Sequence, residues 1–384
     1  MLKFEQKLSQ KQVLSPQQIL QARLLQLNTI KLEEKILNEL EENPVLEQVD
    51  SANGKEEEMD EEIDDPLDFS PDGKLLAVGI YQNVVLLDAQ KWEHKDTLTG
   101  LMDGVRDLCF SENGKRLAAA GGLPTEIGEI IVWNAENWEH IVDITDHIDV
   151  VEGMDLNPAG DLVVSSSTDD KVMINTVEDG ELVSLIGAHV KRCYAAEFSF
   201  DGRFYATGSA DRTVKVWSPK TSKLLANFSQ NNGTVYDISF APKSYNFATA
   251  SADAKVRTWA LTPRGDAASG RLLRICNGHQ GPVYSVDFHP DGEHMASASE
   301  DGTVIYWEVI SGNVLLRLRK SIGPVYAVAI SPDGKSIASG GRDGKLRIWN
   351  TKTGKMDAEL VPPLPSEDSD QEAAAAKIAE DEEG

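Results

Sequence analysis

The chain of 384 residues carries 37 lysine and arginine residues against 63 aspartate and glutamate residues, a formal net charge of −26. Such an acidic balance disfavours a surface that neutralises phosphates, so direct nucleic-acid binding is not expected. No run approaches 18 apolar residues, and the N-terminus lacks the apolar centre of a secretory signal. We therefore expect a cytoplasmic protein without a membrane segment, whose three cysteines are buried thiols in a reducing compartment.

Residues 1–50 predict a hairpin of two short amphipathic α-helices. Ser15 and Pro16 are typical of the N-cap and first position of a helix, and the Asn43-Pro44 pair ends the second helix. Fifty residues bury too little surface to be stable alone, so the apolar stripe needs a partner. The stripe that we expect to dock comprises Leu20, Leu24, Leu27, Leu32, Ile36 and Leu40.

The same segment resembles the N-terminal activator-interacting region of bacterial sigma-54 factors, through the run LSPQQILQARLLQLNTIKLEEKILNELEENPVLEQ. The resemblance implies a regulatory arm that meets RNA polymerase, the promoter fork and a AAA+ activator. No helix-turn-helix or promoter-reading box follows, so promoter recognition is not implied. Two interpretations stay open. The arm docks to RNA polymerase or a AAA+ activator, or it packs on the rest of the chain or has another role or none.

Residues 51–65 predict a disordered acidic linker, because eight of the last ten residues carry a carboxylate and almost none is apolar. Residues 361–384 combine a proline-rich start with an acidic patch, and they predict a disordered tail. Each of these two segments has a net charge of −7.

Residues 66–360 repeat one pattern, which is clearest in residues 278–308. Apolar and polar residues alternate from Val283 to Phe288, which predicts a strand, and the Pro-Asp-Gly run that follows predicts a turn. One slot of the pattern returns every 42 to 48 residues, and its occupants are Leu87, Trp133, Asn175, Trp217, Trp259, Trp307 and Trp349. Seven units of four strands predict an all-β, seven-bladed β-propeller.

Gly278-His279, Asp301 and Trp307 resemble the signature of the WD-repeat β-propellers. In that family His, Ser or Thr, Asp and Trp form a buried, hydrogen-bonded tetrad. The resemblance implies this structural tetrad in three blades, at His147, Ser165 and Asp169; at His189, Thr207, Asp211 and Trp217; and at His279, Ser297, Asp301 and Trp307. Blades 5 and 7 carry Asn231 and Ser321 where the histidine would stand.

The closure of the ring is expected to depart from that family, whose propellers usually lend an N-terminal strand to the last blade. The acidic linker cannot supply such a strand, and Lys355–Leu360 can serve as the fourth strand of blade 7. We predict closure by side-chain packing between blades 7 and 1. Pairing of Val45–Val49 with blade 7 would contradict this prediction.

The sequence offers no signal for catalysis, a cofactor or a metal. It has no phosphate loop or nucleophile elbow, and a Ser-His-Asp set inside a blade is not expected to act as a triad. The histidines outside the tetrads are taken to lie on separate blades without ligand spacing, and they are His94, His140, His289 and His294. The chain is therefore not expected to be an enzyme.

One constellation on the first strands of the blades predicts a partner-binding site. Four residues before a recurring apolar position, blade 1 has Asp65, and blades 2 to 7 have Arg106, Glu152, Tyr194, Tyr236, Tyr284 and Tyr326. In the resembling family this slot lies near the top rim of the central channel, where partner peptides commonly dock. The alternative is that the tyrosines only pack between blades.

Three functional hypotheses follow. The first is a protein-binding scaffold that uses the top face of the propeller and a helical arm for a second partner. The second is a sigma-54-pathway regulator that binds RNA polymerase or a AAA+ activator through residues 1–50. The third is an enzyme built on the propeller, which would require a metal or cofactor that nothing in the sequence signals.

Overall fold

The structure is a computed structural model that describes residues 66–264 and 267–363. The predicted helical hairpin, the acidic linker and most of the predicted tail lie outside these residues. The described part contains 28 strands in seven four-stranded antiparallel sheets. The predicted all-β, seven-bladed propeller is therefore confirmed. Among the described residues, no helix has the length and apolar character needed to cross a bilayer.

The first three blades lie within residues 67–186. Blade 1 contains β1 (Leu67–Phe69), β2 (Leu75–Ile80), β3 (Asn83–Asp88) and β4 (Glu93–Leu98). Blade 2 contains β5 (Asp107–Phe110), β6 (Arg116–Leu123), β7 (Ile127–Asn134) and β8 (His140–His147). Blade 3 contains β9 (Val151–Leu156), β10 (Leu162–Ser167), β11 (Val172–Thr176) and β12 (Leu182–Ile186).

The other four blades lie within residues 193–360. Blade 4 contains β13 (Cys193–Phe198), β14 (Tyr205–Ser209), β15 (Val214–Trp217) and β16 (Leu224–Phe228). Blade 5 contains β17 (Val235–Phe240), β18 (Asn246–Ser251), β19 (Lys255–Arg264) and β20 (Ala267–Asn277). Blade 6 contains β21 (Val283–Phe288), β22 (His294–Ser299), β23 (Thr303–Glu308) and β24 (Val314–Arg319). Blade 7 contains β25 (Val325–Ile330), β26 (Ser336–Gly341), β27 (Leu346–Asn350) and β28 (Met356–Leu360).

Longer hairpins account for the two long intervals in the repeat. The four extra residues of blade 2 extend the hairpin of β6 and β7, which stays paired out to Leu123 and Ile127. The extra residues before Trp307 extend the hairpin of β19 and β20, which stays paired out to Arg264 and Ala267. Both insertions lengthen existing ladders, so the four-stranded plan of each blade is unchanged.

The core is divided among the interfaces between blades. Each of the seven apolar clusters draws its side chains from two neighbouring sheets, because both faces of every sheet are covered by a neighbour. Among the largest side chains with almost no exposure are Trp259, Trp307, Tyr205 and Phe247. Burial of a large apolar side chain contributes about 1.5–3 kcal/mol, so these interfaces supply much of the stability.

The ring closes where blade 7 meets blade 1. Leu67 and Phe69 of β1 pack in one cluster with Ala329 and Ile348 of blade 7. The fourth strand of blade 7 runs from Met356 to Leu360 and pairs with β27, close to the predicted Lys355–Leu360. Within the described residues the closing contact is therefore side-chain packing. The segment Val45–Val49 lies outside the described residues.

A second set of contacts links the first strands of the blades, which lie beside one another around the central channel. On six of these strands a carboxylate accepts a hydrogen bond from a backbone N–H of the next blade. The pairs are Asp68 with Phe110, Asp107 with Met154, Asp155 with Phe198, Glu197 with Phe240, Asp237 with Val286 and Asp287 with Ile330, at 2.6–2.9 Å. Blade 7 has alanine at both equivalent positions, Ala327 and Ala329, so it offers no such carboxylate to blade 1.

Burial shifts the ionisation of these channel carboxylates. It raises the pKa of Asp68 to about 8, and nearby carboxylates such as Asp287 add to the effect. Burial likewise raises the pKa of Asp155 to about 7 and that of Asp237 to about 6. Desolvation of the charged form therefore outweighs the backbone hydrogen bonds that favour it.

Candidate partner-binding face

The candidate site lies at one end of the blades, which we call the top face. It comprises the loops that precede the first strands of blades 3 to 7 and the turns between the second and third strands of the same blades, such as residues 299–303. In an antiparallel meander these segments lie at the same end of the sheet. The turns between first and second strands lie at the opposite end, the bottom face.

The tetrad of blade 6 fixes one top-face loop to one top-face turn. His279 Nδ1 lies 3.1 Å from Asp301 Oδ2, and its Nε2 lies 2.8 Å from Ser297 Oγ. Trp307 Nε1 donates to the same Ser297 oxygen at 2.8 Å. Blade 4 repeats the network, with His189 held by Asp211 at 2.9 Å and by Thr207 at 2.8 Å, and with Trp217 donating to Thr207 at 3.0 Å.

The network connects the same residue types as a Ser-His-Asp catalytic triad, but a substrate could not reach its hydroxyl group. Ser297 is completely buried, and its oxygen is already engaged by both a histidine and a tryptophan. Burial alone would raise the pKa of Asp301, but hydrogen bonds from His279, Thr303 and the Gln280 N–H hold it well below its usual range. The set is therefore a structural hydrogen-bond network rather than a nucleophile exposed to substrate.

Blade 3 keeps three members of the tetrad and changes the fourth. His147 lies 3.0 Å from Asp169 and 2.9 Å from Ser165. Asn175 replaces the tryptophan, and its amide instead donates to Asp146 at 2.6 Å and to the Gly180 carbonyl at 3.0 Å. Asparagine thus ties the third strand to β8 and to its own turn.

Blades 5 and 7 replace the missing histidine with an arginine, a feature that the sequence reasoning missed. Arg257 donates to both oxygens of Asp253, at 3.0 and 2.6 Å. Arg347 does the same to Asp343 at 3.0 and 2.5 Å and also reaches Glu359 at 3.1 Å. Both arginines are almost fully buried. The signal in the sequence is an arginine four residues after the tetrad aspartate, present only where the histidine is lost.

The four tyrosines form a continuous arc around the channel at the top face. Neighbouring rings have centroids 5.4–5.5 Å apart and meet at 49–76°. Each tyrosine is the second residue of its first strand, which places it near the top. The members are Tyr194, Tyr236, Tyr284 and Tyr326, of which the first three are partly exposed and the last is buried.

A β-bulge sets the direction of each tyrosine. The pairing of β17 with β18 skips Tyr236, because Val235 pairs with Ser251 and Asp237 with Ala250. The same skip occurs at the tyrosines of blades 4, 6 and 7 and at Glu152 of blade 3. A bulge leaves one residue out of the ladder and re-aims its side chain, which is why this position differs from its strand neighbours.

Charged residues continue the arc beyond Tyr194. Burial raises the pKa of Glu152, while the cations Arg106 and Arg192 act to lower it. Burial also raises the pKa of Tyr194, and the nearby Glu152 adds to that shift. Arg106 and Glu152 are therefore close to each other and to Tyr194, whereas Asp65 of blade 1 lies outside the described residues.

The top face also exposes apolar side chains. Val190 and Ile322, each directly after the tetrad histidine position, are both 82% exposed, and Ile148 at the same position of blade 3 is 63% exposed. A shallow cleft between blades 6 and 7 opens beside Ile322, with Glu300 and Arg319 in its wall. The top face thus exposes both apolar and charged groups.

The placement of the remaining histidines corrects one expectation. His289 and His294 were taken to lie on separate blades without ligand spacing, but both flank the turn between β21 and β22 of blade 6. Each has its Nδ1 within 2.9 Å of the Asp291 carboxylate. The error arose because the five-residue separation spans a hairpin turn, which brings the two rings together. His94 and His140 lie on β4 and β8 of other blades.

Comparison with known proteins gives two family matches. The model described as "WD domain, G-beta repeat" matches residues 180–218, 222–260, 270–308 and 313–350. The model described as "Sigma-54 factor, Activator interacting domain (AID)" matches residues 3–48.

Among curated proteins, the chain is similar to Pre-mRNA-processing factor 19 of Bos taurus, with 27% identity over 44% of this chain and 34% of that protein. It is also similar to WD repeat and SOCS box-containing protein 1 of Takifugu rubripes, with 30% identity over 28% of this chain and 26% of that protein. WD repeat-containing protein 1 of Mus musculus is 24% identical over 40% of this chain and 26% of that protein. The chain thus spans about a third or less of the length of these relatives.

Proposed function

We propose that the chain is a non-catalytic scaffold whose top face binds a peptide or protein partner. Its propeller has seven blades, and four stretches within residues 180–350 match the WD-domain model, while residues 3–48 match the sigma-54 activator-interacting model. WD-repeat propellers generally bind protein partners and are typically non-catalytic. The observation that carries the proposal is the continuous arc of four tyrosines at the channel mouth.

The arc has the properties of a prepared binding surface. Tyrosine offers a large amphipathic area with two rotatable bonds, so little side-chain entropy is lost when a partner covers it. Ring contacts at 5.4–5.5 Å and the bulges that direct each side chain hold the surface in one arrangement before binding. Preorganisation of this kind lowers the cost of association.

Charge beside the arc supports selectivity for the partner. Arg106 and Arg192 flank Glu152 on one side, while Glu300 and Arg319 line the cleft between blades 6 and 7. A partner that places its apolar residues over the arc would meet groups of both signs at the rim. Rim charges of this kind act mainly on association rate and on the choice of partner.

The test is capture of partners from a lysate with the full chain, followed by an affinity measurement with the identified partner. Tyr236→Ala together with Tyr284→Ala should weaken binding at least tenfold, since central aromatic anchors are commonly worth more than about 1.4 kcal/mol. Tyr245→Ala is the matched control, because Tyr245 lies at a bottom-face turn. Changing the same two arc tyrosines to Phe should preserve most of the affinity if the rings are the anchors. Equal binding by the Ala pair and the wild type would refute the proposal.

Residues 1–50 supply the second binding element of the proposal. Leu24→Asp with Leu27→Asp would place two charges in the predicted apolar stripe without touching the propeller. Loss of RNA polymerase or a AAA+ activator from the captured set, with the tyrosine-dependent partner retained, would assign the arm to sigma-54-pathway proteins. Retention of every partner would leave the top face as the functional surface.

Cell fractionation should recover the chain in the cytoplasm.

A further inference from the structure

A cluster on the bottom face of blade 6 has the composition of a transition-metal site. His289 Nδ1 lies 2.9 Å and His294 Nδ1 2.8 Å from the same oxygen, Asp291 Oδ2. One ligand-type atom from each of the three residues lies within 4.8 Å of those of the other two. All three side chains are partly exposed, at 16%, 28% and 36%, so an ion could reach them from solvent.

The hydrogen bonds of His289 fix which ring nitrogen carries its proton. Nε2 lies 3.0 Å from the Gly334 carbonyl, which can only accept, so Nε2 is the donor. The Asp291 N–H donates to Nδ1 at 3.2 Å, so Nδ1 presents a lone pair. Nδ1 also lies 2.9 Å from Asp291 Oδ2. A metal cation that displaces the N–H from Nδ1 would therefore contact both the imidazole nitrogen and the carboxylate oxygen.

The position of Gly334 supports the same assignment. A metal-binding histidine commonly donates its other ring N–H to a backbone carbonyl, which orients the ring and its lone pair. Gly334 has a positive φ of 69°, and a Cβ there would lie 2.2 Å from His289 Nε2. Only glycine therefore lets the imidazole of blade 6 reach the backbone of blade 7.

Comparison among the blades shows that this turn needs no histidine for folding. In blades 1, 2, 4 and 7 a serine occupies the position of His289, and its hydroxyl bonds to the Asp or Asn two residues later at 2.8–2.9 Å. In blade 7 the sequence Ser331-Pro-Asp-Gly-Lys-Ser336 has serine at both histidine positions. Blade 6 therefore departs from blade 7 at both histidine positions and keeps the aspartate between them.

We propose that His289, Asp291 and His294 bind a divalent transition-metal ion, with Zn²⁺ as the best match. Two imidazoles and one carboxylate suit Zn²⁺, whose tetrahedral site with bonds of about 2.0–2.1 Å places ligand atoms about 3.3 Å apart. The two separations of 2.8 and 2.9 Å need to widen by only about 0.5 Å, which rotation of exposed side chains allows. The fourth position is left to water or to a partner's side chain.

The test is a calorimetric titration of the chelator-treated full chain with ZnCl₂. We expect one site per chain that the double variant His289→Ser, His294→Ser weakens at least about 100-fold, since it removes two ligands. This variant copies the turn of blade 7, so its urea midpoint should match the wild type. Asp291→Asn, which copies Asn113 of blade 2 and keeps an oxygen to cap the turn, should weaken binding at least tenfold.

His140→Ser is the control, since His140 pairs with Asp143 on the exposed edge of blade 2 and should leave Zn²⁺ affinity unchanged. Zn²⁺ binding of equal strength in the wild type and the double serine variant would overturn the proposal. So would absence of a site in the wild type, which would assign His289 and Asp291 as a proton-bridged ion pair. Absorption of the Co²⁺-loaded chain in the visible range, lost in the double variant, gives a second readout.

Discussion

The tetrad aspartate is bound by an arginine in blades 5 and 7 and by a histidine in blades 3, 4 and 6. We predict that the histidine arrangement can replace the arginine arrangement in blade 5. In blade 5, Arg257 is 1% exposed and makes a bidentate pair with Asp253. In blade 6 the equivalent aspartate is bound by His279, and Ile305 stands at the arginine position. The double change Asn231→His, Arg257→Ile should therefore rebuild the arrangement of blade 6 inside blade 5.

The magnitudes follow from the contacts. Arg257→Ile leaves Asp253 with the Asn232 N–H at 3.0 Å as its main donor, and breaking a buried ion pair costs about 3–5 kcal/mol. Asn231→His alone should cost about 1–3 kcal/mol, because the imidazole enters space held by the guanidinium. Together the changes should recover about 2 kcal/mol, since histidine supplies bonds to Asp253 and Thr249 like those of blade 4.

Urea unfolding followed by tryptophan fluorescence and circular dichroism measures these differences. Coincident transitions with equal m values are required before the free energies of unfolding are compared. The double variant should be more stable than either single variant. If it is no more stable than Arg257→Ile, the arginine does not stand in for the tetrad histidine, and the reasoning is wrong.

Three further outcomes are expected. The channel carboxylates Asp68 and Asp287, with pKa values of about 8 and about 7 in the folded state, hold protons that the unfolded chain releases above about pH 4. The free energy of unfolding should therefore fall as pH rises from about 5 to 8, by at most about 1.4 kcal/mol per pH unit for each group, and urea titrations showing a rise would contradict this. Cys193 and Cys276 are buried, and burial raises the pKa of the Cys276 thiol to about 11. A thiol reagent should therefore label both cysteines only when the protein unfolds. Rapid labelling of the native chain would be inconsistent with this burial. Limited proteolysis should cut first within residues 51–65 if they form the proposed linker, and initial cuts inside the blades would speak against these domain boundaries.

The sequence predicts the fold well because each blade repeats the same local instructions. Period-two alternation, short turn sequences such as Pro-Asp-Gly, and one position that returns every 42 to 48 residues and is tryptophan in five blades define strand, turn and register without reference to distant contacts. The predicted fourth strand of blade 7 was found at Met356–Leu360 for the same reason. Because the same sequence pattern recurs in successive blades, the local secondary-structure prediction also predicts the overall fold.

Side-chain partners were less predictable, since they depend on which atoms meet across turns and blades. In the sequence, Arg257 looks like an ordinary strand residue. Its pairing with Asp253 can be inferred only by noticing that blade 5 lacks the tetrad histidine. His289 and His294 were separated in the sequence reasoning because a turn of five residues hides their contact. The bulge at Tyr236, which sets the direction of its ring, also leaves no mark in the alternation of residues.

The interface between blades 7 and 1 has a mechanical consequence. Residues 66 and 363, where the described chain begins and ends, belong to the two blades that meet there. Six interfaces are held by apolar packing and a carboxylate bond, whereas this one has Ala327 and Ala329 in place of the carboxylate. Tension applied through the two ends of the propeller therefore loads the junction that, among the described residues, lacks this polar link.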